Sequence, residues 1–172
     1  MNISDLLNRI NIGEDQDLEF KSAKGGLPKS LWESLSAFAN TDGGYLVLGV
    51  VVRGKGFEIE GVSNPEGLLK TFWDGHNNYQ KVSWPVCSQS DVQVVSLDIL
   101  KVVVIHAPRV HRSNRPVYIN GNPMLGTCKR NYEGDYRCTE EEIRQMLRDA
   151  DNSPQDQSIL DSFGLNDWIW IR

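Results

Sequence analysis

The sequence predicts an α/β (α+β) domain: a mixed, largely antiparallel sheet with helices packed on it. Three observations point there. Helical and strand-like patterns alternate through the first half of the chain. Strand-like runs then fall in adjacent pairs, as hairpins do, in the second half. No apolar run approaches the ~20 residues of a membrane span; the longest, "YLVLGVVV", is strand-sized. Paired runs favour a mixed sheet over a doubly wound parallel one.

Taken in order, residues 4–10 read as a short helix, capped by Ser4, with Leu6, Leu7 and Ile10 on one face. Residues 17–22 alternate as a half-buried strand, with Leu18 and Phe20 inward. After the loop "SAKGG", a helix starts at Leu27 or Pro28 and buries Leu31, Leu35 and Phe38. Asn40 to Gly44 ends it, because glycine permits the left-handed turn a helix stop needs. Residues 45–52 read as one central strand covered on both faces. "RGKG" and "FEIEGV" complete a hairpin, and "NPEGLLKTFWDG" is a helix with Leu68, Leu69 and Phe72 inward. Strands near 92–97 and 101–106 form a second hairpin. "VYING" and "TCKRNYEGDYRC" are strand pieces around turns. Thr139 and Glu142 mark the final helix with a capping box, followed by the stripe Ile143, Met146 and Leu147. The domain spans 1–150. Residues 151–172 are a linker and a short apolar tail whose Trp168 and Trp170 suit an interface with a partner chain or a second copy.

The 172 residues are 40% hydrophobic and 24% charged, an ordinary globular composition. "MNISDLLNRI" has no basic stretch followed by an apolar one, so it does not read as a secretory signal. Cys87, Cys128 and Cys138 are far apart and odd in number, which disfavours zinc and disulfides and fits a reducing cytoplasm. The net charge of −5 is unevenly spread. From Lys101 to Arg137 the basic residues are Lys101, Arg109, Arg112, Arg115, Lys129, Arg130 and Arg137, against Glu133 and Asp135. From Thr139 to Asp161 acids dominate. A local basic patch attracts phosphates even on an acidic protein.

Asp17, Glu19 and Lys21 fall two apart and so line one surface of the first strand, with Glu14 just before it. Carboxylates that converge need a cation between them, and Mg²⁺ prefers such oxygens. A neighbouring lysine steadies charge developing on phosphate. The competing reading is an exposed polar face. "AKGGLPKS" fails as a phosphate loop, since Pro28 stands where a glycine is required before Lys29. "VVRGKGF" is a turn and not a dinucleotide fingerprint. His76, His106 and His111 have no metal-site spacing; His106 reads as packed, and His111 sits among arginines. The segments "RVHRSNRPVYINGN" and "TCKRNYEGDYR" interleave basic residues with Tyr118, Tyr132 and Tyr136, which suits phosphate and base contact; the competing reading is a solvated basic surface.

"EDQDLEFKSA", "LSAFANTDGGYLVLGV" and "YEGDYRCTEEEIRQML" resemble the Schlafen/AlbA-like domain over about residues 5–150. "AFANTDGG" before an apolar strand is the most specific part. The resemblance implies a mixed α/β sandwich that binds nucleic acid. Such domains open prokaryotic proteins labelled RecG-related helicases or transcriptional regulators. Some Schlafen members are metal-dependent ribonucleases, and their acidic centre resembles Glu14 and Glu19, with Lys21 beside them. Their third acid follows the strand after the double glycine, where this chain has Val52. Valine cannot bind a metal; Asp17 and Asp42 are the available substitutes.

The expectation is therefore a DNA- or RNA-binding domain of a regulator or RecG-related helicase-like protein, non-catalytic or weakly catalytic, that requires no cofactor. Its phosphate contacts are Arg109, Arg112, Arg115, Lys129, Arg130 and Arg137. The alternative is a Schlafen-type nuclease that uses Glu14, Glu19 and Lys21 with Mg²⁺ or Mn²⁺ held by Glu14 and Glu19.

Overall fold

The computed structural model describes residues 1–152. In chain order the main elements are α1 (Ile3–Ile12), β1 (Leu18–Lys21), α2 (Leu31–Asn40), β2 (Gly44–Leu48), β3 (Val50–Arg53), β4 (Gly56–Ile59), α3 (Pro65–His76), β5 (Val92–Leu97), β6 (Leu100–Ala107), α4 (Pro123–Gly126), β7 (Cys128–Asn131), β8 (Gly134–Arg137) and α5 (Glu140–Asp151). The central sheet runs β1-β2-β6-β5. β1 lies parallel to β2, and the other neighbours are antiparallel, which confirms the mixed α+β class.

The sheet separates two apolar layers. On one side Leu46, Leu48, Val103 and Ile105 meet Leu31, Leu35 and Phe38 of α2 and Phe72 of α3. On the other, Leu18, Phe20, Val47 and Val104 meet Leu6 and Ile10 of α1 and the β3–β4 hairpin. Alternation along β1 therefore sends Leu18 and Phe20 to α1, and Glu19 and Lys21 to the α2 side.

Four local expectations need correction. Asn2, not Ser4, caps α1; its Oδ1 accepts from the Asp5 N–H at 2.8 Å. α2 begins at Leu31, preceded by a turn closed by the Leu31 N–H on Pro28 O. Ser30 makes no side-chain cap there, because its Oγ receives the Lys21 ammonium at 3.0 Å. The run 45–52 is two strands. Gly49 (φ +100°) donates to Lys21 O and accepts from both Glu60 and Gly61 N–H, so β3 leaves the sheet and pairs only with β4. The capping box of α5 is half formed: Thr139 Oγ1 accepts from Glu142 N–H, but the Glu142 carboxylate turns to Lys129.

The double glycine after α2 has two separate causes. Gly43 adopts φ +75°, and a Cβ there would lie 2.9 Å from Arg109 N. A Cβ on Gly44 would fall 2.3 Å from the Phe38 ring. Among the described residues, no helix is long and apolar enough to cross a membrane. The tail with Trp168 and Trp170 lies outside the described residues.

Candidate nucleic-acid interface

The residues singled out by chemistry fall into two regions. The first lies under α2. Glu19 Oε1 accepts from Lys21 Nζ at 2.6 Å, and Oε2 accepts from Arg130 Nη1 at 2.5 Å. The same Arg130 nitrogen donates to Asp135 Oδ1 at 2.9 Å. Buried Ser34 places its Oγ 2.5 Å from Asp135 Oδ2 and 3.3 Å from Glu19 Oε2. Arg130 Nε donates to Gln16 O, and Nη2 to Asp15 O and Leu18 O, so all five guanidinium N–H groups have acceptors. The guanidinium also stacks 4.9 Å from the Phe38 ring centre. Burial pushes the Glu19 pKa up and Asp135 adds to this, against the pull of Lys21 and Arg130.

This geometry changes the expected roles. Arg130 has a side chain only 1% exposed and is an interior clamp, not a surface contact. Glu14 does not join Glu19; its Oε1 accepts from Phe20 N–H at 2.9 Å at the edge of β1. Asp17 precedes β1, so it escapes the alternation and pairs with Arg9 at 2.5 Å. Val52 is 57% exposed on the β3–β4 hairpin. Asp42 is exposed in the turn after α2. Among the described residues, no three His, Cys, Asp or Glu side chains gather as a metal-binding group. Instead the Arg130 guanidinium occupies the space between the Glu19 and Asp135 carboxylates. These donors do not fit a divalent cation.

The second region is the loop 108–116, set on the C-terminal end of α2. Val110 N–H donates to Ala39 O at 3.0 Å, and Arg115 Nη1 reaches Asn40 O at 3.5 Å. The last carbonyls of a helix carry partial negative charge and favour cations. Asn40 fixes the loop's far end. Its Oδ1 accepts from Val117 N–H at 2.7 Å, and its Nδ2 donates to Val117 O at 2.8 Å and Cys128 O at 3.0 Å. Arg109 and Arg112 are exposed and Arg115 is half-buried. Burial lowers the Arg115 pKa, Arg109 and Arg112 lower it further, and Asp149 of α5 opposes them. Arg109 and Arg112 thus both lie within electrostatic reach of Arg115. His111 Nδ1 accepts from Ser113 N–H at 3.2 Å, which orients the loop locally.

Of the remaining cations, Lys129 pairs with Glu142 at 2.6 Å, while Arg137 is exposed on β8 opposite Cys128. Among the described residues, Arg109, Arg112, Arg115 and Arg137 form no ion pair. His106 is partly packed as expected, against Tyr45 at 4.7 Å, with Nδ1 2.9 Å from Asp91.

Sequence reasoning missed Ser34, Asn40 and Asp135. Asp135 had a visible signal: a hairpin closed at "NYEG" sets it opposite Arg130. Asn40 reads as a helix stop, and nothing local reveals its bonds to residues 77 and 88 positions away.

Comparison with solved structures places the fold. The N-terminal domain of a RecG-related protein from Nitrosomonas europaea, determined by solution NMR, matches with a TM-score of 0.58 and 25% identity, over 81% of this chain and 94% of that one. The crystal structure of the DIP2311 protein from Corynebacterium diphtheriae matches with a TM-score of 0.52 and 18% identity, over 77% of this chain but 24% of that one. No curated protein matches the sequence. The model of the Schlafen, AlbA_2 family matches residues 14–139, most of the chain, and the chain belongs to that family.

Proposed function

We propose that this domain binds nucleic acid through the sugar–phosphate backbone, as the recognition part of a regulator or RecG-related protein, and needs no metal. The observation that supports this best is the 108–116 loop. It carries Arg109, Arg112 and Arg115 on the end of α2, none of them in an ion pair among the described residues, with Asp149 of α5 the carboxylate that acts on Arg115. Arg137 is a further phosphate contact. Lys129 and Arg130 serve the fold instead. Guanidinium groups bind phosphate bidentately and stay charged at any working pH. Contact of this kind ignores base sequence. Family membership favours the same ligand, and three buried free thiols suit the cytoplasm.

Fluorescence anisotropy with labelled 20-mer RNA and DNA tests the proposal. The wild type binds at about 50 mM salt, and the Arg109→Glu/Arg112→Glu pair weakens binding at least about tenfold with an unchanged melting temperature. Wild-type protein that binds neither polymer, or a double variant that binds as well, overturns it.

A further inference from the structure

The β7–β8 hairpin turns through two residues, Tyr132 and Glu133. Tyr132 adopts φ +54° and is 78% exposed. The other non-glycine residues at positive φ among the described ones are Asp98 and Asn120, types that tolerate this conformation. An exposed tyrosine there is costly twice, through backbone strain and through a ring left in water. Glycine or asparagine would remove both costs. Strained residues of this kind persist where the surroundings hold them, and they cluster at ligand-contacting positions.

The surroundings here are rigid. Asp135, on the strand leaving the turn, is held by Arg130 and Ser34. Arg130 N–H donates to Thr41 Oγ1 at 2.9 Å, which fixes the strand entering it. A second ring, Tyr136, is 54% exposed and lies against Gly134, where a Cβ would meet it at 2.7 Å. Arg137, which forms no ion pair among the described residues, follows directly. The hairpin is thus a firmly anchored finger with two exposed aromatic rings, and alternation along β8 puts the Arg137 side chain on the face opposite Tyr136.

We infer that Tyr132 is a base-stacking residue and that the domain prefers single-stranded or looped nucleic acid over regular duplex. This rests on the reading proposed above. Bases stacked within a duplex offer no face to an aromatic ring, whereas unstacked bases do, whatever their identity. Because the ring is uncharged, its contribution is independent of the salt-sensitive phosphate contacts.

The test compares labelled single-stranded RNA and DNA 12-mers with duplexes of the same sequence, for wild type and for Tyr132→Gly, Tyr132→Asn and Tyr132→Phe. Both ring-deleting variants fit the left-handed turn, so each should melt at or above the wild-type temperature. They should bind single strands about 5- to 30-fold more weakly, with duplex affinity and salt slope unchanged. Tyr132→Phe keeps the ring and should bind as wild type. Wild type that binds duplex as tightly as single strand, or ring-deleting variants that lose nothing, overturns the inference while leaving the arginine loop standing. Wild type that binds no nucleic acid in either form defeats the underlying reading as well.

Discussion

Arg130 and Glu19 meet through a 2.5 Å ion pair in the interior, 111 residues apart in sequence. That pair joins the β7–β8 hairpin to the edge strand of the main sheet. It also commits the Glu19 carboxylate that a metal-dependent reading would require.

Removing Arg130 should therefore cost folding free energy. Arg130→Ala leaves Asp135 without a cation and Glu19 with Lys21 alone, and removes donors from the Asp15, Gln16 and Leu18 carbonyls. Breaking a buried ion pair on one side costs about 3–5 kcal/mol. Urea denaturation should show a loss of that size. Arg130→Lys should recover only part, since an ammonium cannot span both carboxylates and the carbonyls. An Arg130→Ala variant of unchanged stability would mean the clamp is not formed in solution.

The Lys129–Glu142 pair gives a pH dependence of opposite kind at its two ends. The bond from Lys129 holds Glu142 below its ordinary value of 4.5, and the bond to Glu142 lifts Lys129 above 10.5. The carboxylate's contribution is present above pH 4.5 and fades as pH falls through its lowered folded value. The ammonium's contribution is present below pH 10.5 and fades as pH rises through its raised one. Both side chains are about one-third exposed, so the pair contributes at most about 1 kcal/mol. Melting of Glu142→Gln across pH 3–9 should show a deficit of that order near pH 7 that vanishes at the acid end. A deficit that persists at the acid end would contradict the pairing.

Much of this fold was legible in the sequence, and the misses share a cause. Leu18 and Phe20 announced a half-buried strand, and Thr139 announced α5, because those signals are local. The break at Gly49 was hidden, since the apolar run continues through "YLVLGVVV" while the chain changes partner. Arg130 was read as surface by residue type alone. Yet it sits two positions from Cys128 on β7, and both are buried. Alternation from an apolar neighbour pointed inward, and a carboxylate in register across the turn offered the partner. Glu14 was misplaced for a simpler reason: its acceptor fills the open edge of β1, which requires knowing that β1 is an edge strand.

Divalent metal should have little effect. Glu19 already accepts from two cations, and Glu14 turns its Oε1 to the Phe20 N–H, so the two carboxylates do not converge on one point. Millimolar Mg²⁺ or Mn²⁺ should leave the melting temperature unchanged, and EDTA should leave oligonucleotide binding unchanged. Single-stranded RNA, tRNA and DNA should remain intact after incubation with either ion. Cleavage that disappears in Glu19→Ala would refute this and restore the nuclease reading.

The slope of log affinity against log salt is the most direct test of the arginine loop. Three phosphate contacts give about −2 on a single strand, and each contact removed shallows the slope by about 0.7. Wild type should show about −2 or steeper, and Arg112→Gln should be shallower by about 0.7 with the fold intact. A flat wild-type slope, or a slope that Arg112→Gln leaves unchanged, would contradict the account.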